Sequence, residues 1–152
     1  MPKNLDNLLS LHSESEIAEF KEAKNTFPFD KLGKYFSALC NEANLKNLNR
    51  AWLVFGVKDD KSVVGSRFRT NSKDLQSLKK EIADKTTNRL TFIDIHEIKH
   101  PDGRVLLLEI PPAPQGLPIA WDGHYYGRDG ESLGPLNLEE IERIRAQNRA
   151  TD

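Results

Sequence analysis

The feature that most constrains this 152-residue chain is an apolar stripe at helical spacing. Leu32, Tyr35, Phe36, Leu39, Cys40 and Ala43 recur at i, i+3, i+4, i+7, i+8 and i+11, which predicts a helix starting near Asp30. Such a face has to be buried against another layer. A partner follows soon after. Ala51-Trp52-Leu53-Val54-Phe55-Gly56-Val57 is a continuous apolar run, the pattern of a central strand covered on both faces. Trp52 and Phe55 within it are expected in the core. Phe27-Pro28-Phe29 suits a tight helix entry, with Asp30 as a cap or first-turn acid.

The remaining pattern extends this helix-on-sheet arrangement. Ile17 to Lys21 alternates as a short strand, with Glu19 and Lys21 on one face and Ala18 and Phe20 on the other. Lys58 to Ser62 reads as a turn leading into a return strand at Val63-Val64-Gly65. A second helix is predicted from about Ser72 to Lys85, with Leu75, Leu78 and Ile82 inward. Strands at Leu90–Ile98 and Arg104–Ile110 are joined through Pro101-Asp102-Gly103. Four prolines between 111 and 118 make a stiff connector. A short strand around His124–Tyr126, a turn at Gly127-Arg128-Asp129-Gly130, and a last helix after Asn137 complete the pass. Glu140 sits where a capping box needs it. The expected fold class is α+β, a mostly antiparallel sheet packed by about three helices. It forms a single domain over 1–152, with a core at about 13–146 and flexible segments at 1–12 and 147–152.

Composition narrows the function. Hydrophobic residues make up 38%, enough for a real core, and the net charge of −1 excludes a protein that coats nucleic acid by bulk charge. That charge is unevenly spread: net −3 over residues 1–20, +7 over 21–80 and −5 over 81–152. A basic middle third suits a polyanion, and solvated helix faces are the plain alternative. Cys40 is the single cysteine, so an internal disulfide and a Cys-based zinc cluster are excluded. No apolar stretch spans a bilayer and no secretory signal opens the chain, so a cytoplasmic protein with no membrane partner is expected. There is no Gly-x-x-x-x-Gly-Lys loop and no Gly-x-Ser-x-Gly elbow. His12, His96, His100 and His124 lack metal-ligand spacing.

The acids offer one chemical reading. Glu14, Glu16 and Glu19 cluster around the first strand, and Asp59 and Asp60 lie past the apolar run. Carboxylates from two adjacent elements suit a hard cation such as Mg²⁺ or Mn²⁺, which activates water against a phosphodiester. Lys21 beside them suits charge developing on phosphate. Glu14 and Glu19, five apart, converge only if the backbone between them bends. Surface acids are the alternative. Arg67, Arg69, Lys73, Lys79 and Lys80 form the expected phosphate-contacting segment. Tyr126 and Arg128 are expected nucleic-acid contacts, where Trp121, Tyr125 and Tyr126 either stack on unpaired bases or pack the sheet edge.

Read together, several motifs resemble the Schlafen-type AlbA-like domain. They are Glu14-Ser15-x-x-x-Glu19-Phe20-Lys21, Ala38-Leu39-Cys40-Asn41, Phe55-Gly56-Val57-Lys58-Asp59-Asp60 with Gly65, Tyr125-Tyr126-Gly127-Arg128-Asp129-Gly130-Glu131-Ser132, and Leu138-Glu139-Glu140-Ile141. The order holds over roughly residues 13–146. The resemblance implies a nucleic-acid-binding module, with RNA favoured over DNA. It further implies a metal-dependent endoribonuclease acting on structured RNA such as tRNA. Glu14, Glu19 and Asp59 or Asp60 would then be the catalytic carboxylates holding Mg²⁺ or Mn²⁺, assisted by Lys21, with no nucleotide cofactor. A glycine pair usual before the Gly-Val strand is replaced here by Asn41 to Arg50, where Lys46 and Arg50 supply charge instead. One lobe would need a homodimer or a larger partner to complete a two-lobed groove. The alternatives are a non-catalytic DNA- or RNA-binding module of a transcriptional regulator, or a protein-interaction subunit of a larger assembly.

Overall fold

The structure, a computed structural model, describes residues 16–130 and 132–147. Strand β1 (Glu16–Lys21) leads through helix α1 (Phe29–Leu45) into strand β2 (Arg50–Phe55). β1 and β2 pair in parallel, so α1 is the crossover that parallel pairing requires. Helix α2 (Ser72–Ala83), a 3₁₀ turn (Thr87–Arg89), and strands β3 (Asp94–His100) and β4 (Gly103–Ile110) follow. The four strands form one sheet in the order β1-β2-β4-β3, antiparallel except for the β1–β2 pair. A second antiparallel sheet holds β5 (Ala120–Trp121), β6 (His124–Asp129) and β7 (Ser132–Pro135), and helix α3 (Leu138–Arg145) comes last. The architecture is α+β.

The apolar stripe of α1 is buried along its whole length, against a sheet face built from Ala51, Leu53, Phe55, Ile95, Leu106, Leu108 and Ile110. Phe36 meets Phe92 edge to face at 5.1 Å. The other face of β2 and β4 carries Trp52, Val54, Val57, Val105 and Leu107, also buried, so β2 is the doubly covered strand its composition predicts. Asn71 caps α2 by accepting from the N–H groups of Lys73 and Asp74. Asn137 and Glu140 form the expected capping box on α3.

Asp30 is the first-turn acid of α1, which starts after Pro28 without a side-chain cap; its Oδ1 accepts from Trp121 Nε1 at 2.8 Å. Three local expectations are corrected. Val63–Gly65 forms no strand, only a Val57–Val63 bridge. Gly56, at φ 97, turns the chain there, and its carbonyl accepts from both Val64 and Gly65, after which Ser66 donates to Arg104 on β4. β3 begins at Asp94, not Leu90, because Phe92 turns into the core beneath α1. Gly127–Asp129 are strand, and the turn falls at Gly130. Gly127 is there for packing: a Cβ would sit 2.8 Å from Leu136 Cδ1. Trp121 is 1% exposed, its ring lying where a Cβ on Gly33 would stand 2.0 Å from Cε2. The terminal segments expected to be flexible, 1–12 and beyond Gln147, lie outside the described residues.

Candidate functional site

Alternation along β6 decides what Arg128 can do. It shares a face with Tyr126, whose backbone is held to α1 by Ser37 and Asn41, so its side chain points inward. Its guanidinium donates from Nε to Glu42 Oε1 at 2.6 Å and from Nη2 to Glu42 Oε2 at 3.2 Å, a two-pronged grip on α1. Nη1 donates to Glu19 Oε1 on β1. Lys21 Nζ lies 3.3 Å from Glu19 Oε2, and Lys46 donates to Glu42 Oε2 at 2.8 Å. Glu19, Lys21, Lys46 and Arg128, expected from sequence in different roles, therefore meet in one cluster. Glu42 completes it.

The centre of the cluster is buried, Lys46 and Lys21 reach solvent at its edge, and its charges are tuned to one another. The Glu19 side chain is 4% exposed and that of Arg128 8%. Burial alone would raise the Glu42 pKa, but the bonds from Arg128 and Lys46 outweigh it and hold the carboxyl below its ordinary range. Burial pulls the Arg128 pKa down, and Glu42 and Glu19 together more than reverse it. Lys21, 4.9 Å above the Tyr35 ring, is likewise raised, its desolvation outweighed by Tyr35 and Glu19. Among the described residues two carboxylates face three cations here, a local charge of +1.

Asp59 and Asp60 are not part of it. Glu19 lies opposite Leu53, and Asp59 follows six residues later; among the described residues no hydrogen bond or ion pair links Asp59 or Asp60 to the cluster. The turn that carries them is exposed and leans over the opposite face of the sheet, where Lys61 Nζ sits 5.3 Å from the Phe20 ring. Asp60 Oδ1 accepts from Ser62 N at 2.9 Å and Ser62 Oγ at 2.6 Å, closing its own turn. Glu14 lies outside the described residues. Among the described residues no three His, Cys, Asp or Glu side chains gather as metal ligands. Among the described residues the donor set around Glu19, two carboxylates whose oxygens are all engaged by Arg128, Lys21 and Lys46, does not suit the divalent cation that the family resemblance implies.

The expected phosphate contacts divide into spent and free cations. Arg50 pairs with Glu109 at 2.6 Å, Lys79 with Asp94 at 3.6 Å and Lys80 with Asp84 at 3.0 Å. Arg69 grips both oxygens of Glu81 at 2.8 Å. Tyr126 is half-buried with Lys34 Nζ 5.7 Å from its ring, and Tyr125 is exposed. Arg67 and Lys73 are exposed and have no carboxylate partner among the described residues. Arg67 opens onto a cleft of ≈ 490 Å³ lined also by Lys24, Asn25, Ser66, Thr70 and Arg104. Lys24, missed in the sequence, lines it beside Arg67.

The cleft has a built floor. Arg67 N–H donates to the Lys24 carbonyl at 2.7 Å, and Asn25 Oδ1 takes the Arg67 guanidinium. Arg104 donates to the carbonyls of Ser66, Phe68 and Arg69, so it shapes the 66–69 loop. Gly65 and Gly103 meet backbone to backbone: a Cβ on Gly103 would lie 2.6 Å from Gly65 Cα. Among the described residues no carboxylate lines this space.

A family model described as Schlafen, AlbA_2 matches residues 14–137. The solved structure of the DIP2311 protein from Corynebacterium diphtheriae is similar in fold, with a TM-score of 0.62 at 18% identity over 94% of this chain. The chain spans 28% of that protein's length. No curated protein matches it.

Proposed function

The chain belongs to the Schlafen AlbA_2 family, and from that premise we propose that it is a nucleic-acid-binding domain whose Lys24–Arg67 cleft receives the phosphate backbone of RNA. The observation that carries this reading is a cleft lined by Lys24 and Arg67, neither paired with a carboxylate among the described residues, beside Arg104, whose charge is met by Glu97. Phosphate neutralised there releases condensed counterions, the dominant source of sequence-independent affinity. Asn25 holds the Arg67 fork in a fixed direction, which reduces the ordering cost of each new bond. Lys73, in the first turn of α2, lies three residues beyond Thr70 of the cleft and extends the basic rim. No described helix is long and apolar enough to cross a membrane.

The test is fluorescence anisotropy with labelled single-stranded RNA, an RNA hairpin and DNA of matched length, over a salt series. Lys24→Glu with Arg67→Glu is expected to weaken binding on the order of 10- to 100-fold at low salt. It should also reduce the slope of log affinity against log salt by about 1.4, or ~0.7 for each phosphate that is no longer neutralised. Absence of binding at low salt, or a double variant that binds like the parent, refutes the reading.

Metal-dependent cleavage of structured RNA is the finer activity the family resemblance implies. It asks for Glu19 as a metal ligand, whereas that carboxylate is spent on Arg128 and Lys21. Incubation of the protein with tRNA and Mn²⁺ or Mg²⁺ decides it, with cleavage lost in Glu19→Ala as the supporting result.

A further inference from the structure

We infer that Arg128 stands in for a divalent cation between Glu19 and Glu42, so that the nucleic-acid binding proposed above, on which this rests, needs no metal. A divalent ion requires carboxylate oxygens free to turn toward it, usually from several acids and with water completing the shell. Here all four oxygens of the two acids are engaged: Glu19 Oε1 by Arg128, Glu19 Oε2 by Lys21, Glu42 Oε1 by Arg128, and Glu42 Oε2 by Lys46 and Arg128. The planar guanidinium matches Glu42 through two N–H groups, a geometry that a spherical ion does not demand. Among the described residues the cluster carries a local charge of +1, which repels a second cation instead of recruiting one. Removing Arg128 to admit a metal would leave Glu19 and Glu42 buried beside each other, a costly arrangement. Of the other acids the resemblance asks for, Glu14 lies outside the described residues, and Asp60 is bonded to Ser62 within its own exposed turn.

The pairing also explains how three distant elements are held. Glu19 is on β1, Glu42 on α1 and Arg128 on β6. A cation fixed covalently to β6 clamps the small sheet against the first parallel unit, which an exchangeable ion would do only while bound. The cluster is thus a permanent counter-ion site, and the polyanion is met elsewhere, at Lys24 and Arg67.

Three measurements on the full chain test this. Titration with Mn²⁺, read from the free-ion electron paramagnetic resonance signal, should show no saturable site tighter than about 1 mM. RNA affinity at matched ionic strength should change by less than about twofold between EDTA and Mg²⁺, since counterion release and not a bound metal sets it. Glu19→Gln should lower the melting temperature without metal, because it strips Arg128 of a partner; in a site of mutually repelling carboxylates the same change would raise it. A saturable Mn²⁺ site that Glu19→Gln abolishes, binding that EDTA removes, or a raised melting temperature overturns the inference. If Glu19→Gln does not fold, Mn²⁺ titration of the parent decides. Should no nucleic acid bind at all, the functional proposal fails while the Mn²⁺ titration and the melt still judge the role of Arg128.

Discussion

Replacing Asn41 tests how the second sheet is attached. Asn41 is fully buried on α1 and completes the backbone of chain segments roughly 80 residues away. Its Nδ2 donates to the Ile119 carbonyl at 2.9 Å and the Tyr126 carbonyl at 3.0 Å, while its Oδ1 accepts from Ile119 N–H at 2.8 Å. Ser37 shares part of the work, donating to the Ile119 carbonyl at 2.7 Å and accepting from Tyr126 N–H at 3.1 Å. Asn41→Leu keeps the volume similar but leaves Ile119 N–H and the Tyr126 carbonyl without these partners in a dry interface. Each orphaned group costs about 1–3 kcal/mol, so the expected loss is about 2–6 kcal/mol. For a domain of this size that is roughly 5–20 °C in melting temperature, at ~2–4 °C per kcal/mol. Urea unfolding followed by circular dichroism gives the free energy directly, with the slope checked for two-state behaviour. A loss below about 1 kcal/mol would refute the claim that α1 serves as a surrogate strand for this backbone.

Two further outcomes follow from the same geometry. Gly103→Ala forces a Cβ within 2.6 Å of Gly65 Cα at φ 145, so it should destabilise by about 1–3 kcal/mol and weaken RNA binding by distorting the cleft floor; normal stability and affinity would contradict the close approach. Glu42 has a folded pKa below its unfolded value, so its pairs add stability above about pH 4.3 that is lost as pH falls through the folded pKa. Glu42→Gln should therefore lower stability at neutral pH and flatten the acid limb of a stability–pH curve, and an acid limb like the parent's would count against the pairing.

What the sequence reveals depends on how local the cause is. The α1 stripe, the capping box of Asn137 and Glu140, and the turn at Pro101-Asp102-Gly103 are decided within a few residues, and the structure shows them where the spacing places them. Lys80 and Asp84, four apart, are also readable as a spent pair, yet net charge over the segment hides it. Arg128 misleads for a different reason. Glycines at 127 and 130 make the stretch look like a turn, but Gly127 makes room for Leu136 and only Gly130 turns. Its partners lie 86 and 109 residues away, beyond any periodicity. Lys24 escapes notice because its neighbour in the cleft, Arg67, arrives through the Gly56 bend and a bond from Arg67 N–H back to Lys24, neither of which leaves a local signature.

The separation between Glu19 and Arg128 has a consequence in time. Their bond joins residues 109 positions apart. At a synthesis rate of about 5–20 residues per second, the glutamate waits on the order of 5–20 s for its arginine to be made. Until then Lys21, two residues along the same strand, is the cation at hand for Glu19, and the contact that ties β1 to the second sheet forms only after β6 has been made.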